Sequence, residues 1–442
     1  MPVDKRAVYQ AFDPRPLGPS DRDLYVPLDD VRGSGGLVRE MMERICLASR
    51  PTCQILAGHR GSGKSTELRR LQARLDGTDS GGCDQPFFVV CVEGREDLDL
   101  NDVDFPEVLV AVVRQLARQV KARFDISLKP GYWRDRWERL AKLLGTEVSF
   151  EGLELDAGMF KIATVLKNSP DARLGIRKAM EPDTGNLLQA TNDVIGEAKL
   201  RLRQEGCQDL VILVDDLDKM ILRPHHEMGC STAEHLFINR GAQLSGFDCH
   251  MVYTMPIELA YSTREQTIAS HYGYGGHPPV IPMVKVATPP PNSRRYAKGV
   301  KAFDRLIAAR LMRAGARREE VFDSPRTIGR LIDLSGGQPD VLMVLTREAM
   351  VGADLPVTRK AVERAAQEGR RAFARQLQKE HWPLIEEVRR TGACVRTQAN
   401  DAAFRELLAS RAVLQYRNAE EWYGVNPLIE GLKPPADEGP TE

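Results

Sequence analysis

Residues 53–66 read Cys-Gln-Ile-Leu-Ala-Gly-His-Arg-Gly-Ser-Gly-Lys-Ser-Thr, and this stretch decides the fold. Cys53–Ala57 is a short apolar run of the kind that forms a buried strand. It passes directly into Gly58, His59, Arg60, Gly61, Ser62, Gly63, Lys64 and Ser65, which match the pattern G-x-x-x-x-G-K-[ST] without a gap. From Lys64 onward KSTELRRLQARL has the spacing of a helix. Strand, glycine-rich turn and helix are the setting in which such a loop cradles phosphate. The glycines let successive backbone N–H groups converge on anionic oxygens, and the helix adds its positive end. Lys64 is placed to neutralise phosphate charge, the Ser65 hydroxyl to ligate Mg²⁺, and Thr66 to complete the cradle. The competing reading, a glycine-rich turn that holds no ligand, does not account for this context.

A second element supports ATP as the ligand. Residues 209–214, DLVILV, form another buried-type strand, and Asp215 closes it. A carboxylate there suits a Mg²⁺ ion held beside a triphosphate. Asp216, one residue on, is the candidate to orient or deprotonate the attacking water, the alternative being a purely structural acid. Asp218 reads as a helix cap, a helper on the metal side or a solvated acid. Thr254 ends the strand 249–255 and is the candidate sensor of the terminal phosphate, against an ordinary role in capping backbone. Hydrolysis also needs positive charge at the transition state. Arg240, Arg264, Arg294, Arg295 and Arg310 are candidates for an arginine acting on a neighbouring subunit, and nothing in the sequence chooses among them.

The chain has 442 residues, with 62 Lys+Arg balanced by 62 Asp+Glu. That balance excludes a global basic footprint for nucleic acid. Locally, residues 301–330 carry eight basic and four acidic side chains. They read as a solvated helical face with nucleotide or intersubunit contacts, or as a polyanion patch. No segment approaches the roughly 20 apolar residues of a membrane span. The N-terminus lacks a signal-like apolar core. The eight Cys are scattered with no CxxC pair, which predicts reduced thiols and a cytoplasmic protein. His225, His226, Cys230 and His235 are close in sequence but match no closed zinc spacing, and the tract reads as a surface loop entering a helix. The Gly-rich run 272–279 reads as an exposed connection.

Strands at 87–92, 249–255 and 280–286 complete a set that is apolar throughout and separated by helices. This predicts an α/β domain with a parallel sheet. Pro282 favours an edge position for the last strand. The predicted organisation is an ATPase domain at 1–290, with a helical insertion at about 100–208, and a helical lid at 291–380. A helix, turn, helix and hairpin unit follows at 381–432, then a disordered tail at 433–442.

With Gly58–Ser65, Asp215–Asp216 and Thr254 in place, the chain resembles the AAA+/STAND branch of P-loop ATPases. It is most similar to origin-recognition-like and signalling members and to bacterial AAA family ATPases of defence or mobile-element loci. The resemblance implies sheet order 5-1-4-3-2, a helical lid and a C-terminal winged helix whose wing is the 411–428 hairpin. Such wings bind DNA in the origin-recognition relatives and pack as intramolecular locks in the signalling ones. The lid turn Ser335–Gly336–Gly337–Gln338–Pro339 is similar to an element in which the proline, Pro339 here, approaches the nucleotide. The chain departs from the replication-type members because Asp340–Val341–Leu342–Met343 holds no arginine. It departs again in its long insertion. These features together imply a nucleotide-gated homo-oligomeric switch acting on a separately encoded effector or partner. The alternative is a DNA-binding ATPase of initiator, loader or transposition-helper type. ATP and Mg²⁺ are the expected cofactors.

Overall fold

The structure, a computed structural model, describes residues 3–33, 35–79, 82–128, 138, 155–181, 184–224 and 229–434. His225 and His226 lie outside the described residues, as do most of the 126–154 tract and residues 435–442 of the tail. Two compact units divide the chain. The first comprises 1–37, 58–66 and 280–442, and the second 38–57 and 67–279.

The second unit carries most of the sheet. Strands β1 (Cys53–Gly58), β2 (Phe88–Glu93), β3 (Leu210–Asp215) and β4 (His250–Met255) are parallel, and the full order is β2-β3-β4-β1-β5. This is the 5-1-4-3-2 arrangement expected from the sequence. Residues 210–214 of β3 and all of β4 are buried, which explains why these strands read as continuous apolar runs rather than alternating ones. β5 is only Val280–Ile281, shorter than the expected 280–286. Pro282 has no N–H for a ladder and ends the strand at the sheet edge.

The helical insertion is anchored by Phe105–Phe124. Asp104 and Glu107 form a capping box, with Pro106 in the first turn. Arg177 of helix Pro170–Met180 bonds Asp102 at 2.8 Å and Glu107 at 3.0 Å. Burial pushes the Glu107 carboxyl up to about 7 despite that guanidinium. Cys46 and Cys83 form a disulfide across 37 residues, which corrects the expectation of reduced thiols throughout. CxxC spacing marks only neighbours in sequence, whereas here the fold brings distant cysteines to a Cα–Cα distance of 6.0 Å. Cys53, Cys91, Cys207, Cys230, Cys249 and Cys394 are free thiols.

In the first unit, helices Ala297–Arg313, Pro325–Ser335, Pro339–Met350 and Arg359–Gln376 form the lid. Helices His381–Thr391 and Asp401–Ala409 precede an antiparallel hairpin, β6 (Val413–Arg417) and β7 (Glu421–Val425). Met283, Leu414, Tyr416 and Trp422 form a buried cluster, with the Tyr416 and Trp422 rings stacked at 4.3 Å. The basic tract 301–330 is largely spent inside this unit. Arg313 pairs with Asp21 and Asp23, Arg317 with Glu320, Arg318 with Asp304 and Arg330 with Glu363. Arg310 is buried, which lowers its pKa to about 10.

The lid turn is fixed by Gly337, at φ +77°, where a Cβ would collide with the Val284 carbonyl. Gly337→Ala therefore combines left-handed strain with a backbone clash. The expected loss is about 3 kcal/mol. A thermal melt that reports the first unit should fall by roughly 5–10 °C.

Candidate nucleotide site

The phosphate loop, residues 58–66, belongs to the first unit. Gly61 and Gly63 hold φ values of +77° and +98°, which L side chains rarely adopt and which turn the loop amides inward. Lys64 is buried, and its Nζ donates to the carbonyls of Gly58 at 2.6 Å and His59 at 2.8 Å. The ammonium is therefore already drawn over the loop. Ser62 Oγ is buried with no hydrogen-bond partner among the described residues. An unsatisfied buried hydroxyl costs about 1–3 kcal/mol, so a polar ligand in the loop would recover energy. Ser65 is half-buried at the start of helix Lys64–Leu75. The Thr66 hydroxyl accepts from Leu17 N–H at 3.2 Å.

His59 does something the sequence did not signal. Its imidazole is fully buried, with Nδ1 3.0 Å from the Leu408 carbonyl and Nε2 accepting from Gln415 N–H at 2.9 Å. These partners fix one neutral tautomer, with the proton on Nδ1. The side chain is therefore engaged by the helix–hairpin unit, which leaves the N–H of His59 for phosphate. Arg60 is exposed, and Pro339 is half-buried as the first residue of its helix. Arg32, missed by sequence reading, is buried and donates to Ser62 O at 2.6 Å and Pro282 O at 2.8 Å.

Burial depresses the His59 pKa to about 3, helped by the nearby charges of Lys64 and Arg411. A depressed value means that the unfolded chain binds the extra proton. Stability from this group is complete above the ordinary value of about 6.5 and is lost as pH falls toward 3. Between pH 6.5 and 5 that amounts to at most ~2 kcal/mol. In His59→Gln, denaturant melts across that interval should show a shallower pH slope than wild type.

The candidate acids and Thr254 belong to the second unit. Asp215 ends β3 opposite Glu93 of β2. Asp216 N–H donates to Asp215 Oδ1 at 2.7 Å. Asp216 is left-handed at φ 68°, a conformation uncommon outside glycine. Its carboxylate pairs with Lys219 and accepts from Arg95 N–H at 3.3 Å. Thr254 lies in register with Leu56 of β1, and its Oγ1 is buried with no partner among the described residues. Asp215 is the last residue of β3 and Thr254 the last but one of β4, both at the C-terminal end of their strands in the second unit's sheet. Carboxylate oxygens such as those of Asp215 suit Mg²⁺, which takes oxygen ligands. Among the described residues no cluster of three or more His, Cys, Asp and Glu could hold a metal by itself.

The structure also sorts the candidate arginines. Arg310 is buried. Arg240 is tied to Glu181 at 2.7 Å and to Asp104 at 3.6 Å, and Arg295 to Asp333 at 2.9 Å. Arg264 and Arg294 are exposed.

No protein-family model matches the chain, and none of the curated proteins does. Solved structures do. The Walker-type ATPase of Pyrococcus abyssi is 14% identical over 95% of this chain and 98% of its own, with a TM-score of 0.46. The Aeropyrum pernix ORC2 protein in ADPNP–ADP complexes is 12% identical over 95% of this chain and 93% of its own, at 0.44. Drosophila ORC bound to DNA is 13% identical over 96% of this chain and 91% of that one, at 0.39. The order of the parallel sheet, the phosphate loop leaving β1 and the acid closing β3 give this chain an α/β P-loop NTPase fold with the AAA+ strand order.

Proposed function

We propose that the chain binds and hydrolyses ATP and that nucleotide occupancy controls the winged-helix region, making it a nucleotide-gated switch that acts on a separately encoded partner. The observation that carries this reading is His59. A residue inside the phosphate loop has both ring nitrogens bonded to the helix–hairpin unit, at Leu408 and Gln415. A loop that must rearrange around phosphate cannot do so without disturbing those bonds. Tyr416 reinforces the coupling, because its hydroxyl donates to the Gly336 carbonyl at 2.6 Å in the lid turn.

In this reading the loop amides and Lys64 bind the phosphates, Thr254 senses the terminal one, and Asp216 holds the attacking water. Ser65 and Asp215 are the residues that would hold Mg²⁺. When bound, the ion neutralises charge on the phosphate oxygens. Homo-oligomer formation and a cytoplasmic setting belong to the proposal. No helix among the described residues is long and apolar enough to cross a membrane. Light scattering of the chain with a slowly hydrolysed ATP analogue, ADP or neither tests the switch. A nucleotide-dependent change in mass is expected, and one monomer mass in all three states contradicts it.

A second reading, a DNA-binding ATPase of initiator, loader or transposition-helper type, is favoured by the winged-helix region and by the origin-recognition proteins among the similar structures. Ion pairing within the 301–330 tract weakens one of its original supports. Fluorescence anisotropy with duplex DNA distinguishes the two. Under the second reading, binding appears at low salt and weakens steeply as salt rises.

A further inference from the structure

Asp340, at the start of helix Pro339–Met350, holds its carboxylate against Gly61 of the phosphate loop, where a Cβ would collide with it. A bare carboxylate there would repel any polyphosphate. It is not bare, because Arg411 Nη1 pairs with Asp340 Oδ2 at 2.9 Å. The pair is part-exposed, with side-chain exposures of 31% for Arg411 and 27% for Asp340. It can therefore exchange partners, unlike Arg32, whose guanidinium is buried on the Ser62 and Pro282 carbonyls.

The backbone at Arg411 is built to present this side chain. Arg411 is left-handed at φ 64°, a costly conformation for a long side chain. Buried Asn426 holds it there, with Nδ2 donating to the Arg411 carbonyl and its own N–H to the Ala412 carbonyl, both at 2.9 Å. Leu408, three residues earlier, is the carbonyl that His59 contacts. Strain is thus maintained at the one residue of this turn that reaches the acid over the loop.

We propose that Arg411 is the phosphate-reading arginine of this nucleotide site, supplied in cis by the turn that precedes the wing. Asp340 holds it while no terminal phosphate is bound. The γ-phosphate of ATP then draws it away, since a phosphate offers the guanidinium the same two-oxygen fork as a carboxylate with more negative charge. ADP, lacking that group, leaves the Arg411–Asp340 pair in place. This rests on the ATP-binding reading above and adds the group that tells ATP from ADP.

Calorimetric titration of the full chain with Mg²⁺ and either ATPγS or ADP tests it, in wild type, Arg411→Ala, Arg411→Lys and Asp340→Asn. Arg411→Ala should weaken ATPγS binding by at least about tenfold and ADP binding by less than about threefold. Arg411→Lys, which keeps the charge and loses the fork, should fall between. Asp340→Asn removes the competing acid with little change in size and should tighten ATPγS binding by about threefold or more without matching tightening for ADP. Equal effects of Arg411→Ala on both nucleotides, or none on either, overturn the proposal. If Arg411→Ala does not fold, Asp340→Asn decides, and an unchanged ATPγS-to-ADP ratio overturns it. A wild type that binds neither nucleotide brings down the ATP reading and this proposal together. A wild type that binds both, with a ratio no variant moves, brings down this proposal alone.

Discussion

Lys64→Ala should lower the affinity for ATP by about 100- to 1,000-fold. Lys64 Nζ already donates to two loop carbonyls, Gly58 O and His59 O, so the ammonium is buried and positioned before any ligand arrives. A triphosphate replaces neutral carbonyl acceptors with charged ones, and hydrogen bonds to charged groups contribute about 1.5–3 kcal/mol each. Two such bonds near the lower end of that range, lost together, amount to roughly 3–4 kcal/mol, and every 1.4 kcal/mol is tenfold in affinity. Thermal melts should show a smaller effect, because alanine removes a buried charge as well as its bonds. Titration calorimetry with Mg²⁺·ATP is the check, and an affinity within about threefold of wild type would mean that the loop is not the phosphate site.

The second large effect is on turnover. Asp216→Asn should reduce kcat for ATP hydrolysis on the order of 100- to 1,000-fold, with the ATP dissociation constant changed by less than about threefold. The substitution keeps size, removes the charge that can accept a proton from water, and turns one of the two oxygens that accept from Lys219 and Arg95 N–H into an amide donor. The left-handed backbone at Asp216 and the hold of Lys219 and Arg95 N–H on its carboxylate give that group one orientation. The same pairing is what a purely structural acid would show. Phosphate-release kinetics separate the two, since a structural Asp216 loses stability in the asparagine variant and keeps its rate per folded molecule.

What was legible in the sequence follows from the strength of local signals. The phosphate loop and the apolar strands 53–57, 209–214 and 249–255 each lie within a few residues of the observed elements, because burial on both faces leaves an unbroken apolar run. Within the helical insertion expected at about 100–208, helix Phe105–Phe124 is marked locally by its Asp104–Glu107 box. β5 was overread because Val284 and Val286 are buried for a different reason. Past Pro282 the chain leaves the sheet, and Met283 N–H and Val284 N–H bond Gln415 and Gly337 instead.

At the site, identity was legible and conformation was not. His59 occupies a variable position of its motif, so nothing local marks it as the clip to Leu408 and Gln415, 349 and 356 residues away. The basic cluster at 301–330 looked like a surface patch because Asp21, Asp23 and Glu363, which neutralise part of it, are remote in sequence. Cys46 and Cys83 were unreadable as a pair for the same reason. Nothing local in the sequence marks the contact of the Asp340 side chain with Gly61, which is a property of the folded unit.

Hydrogen–deuterium exchange of the peptide spanning residues 408–417 tests the central claim most directly. Gln415 N–H is bonded to His59 Nε2 inside the phosphate loop, so its protection reports the loop's grip on the hairpin. With Mg²⁺ and a slowly hydrolysed ATP analogue, exchange in this peptide should accelerate relative to ADP and to no nucleotide, while β3 and β4 stay protected. Saturating analogue that leaves the peptide as protected as ADP does would contradict nucleotide control of the winged-helix region.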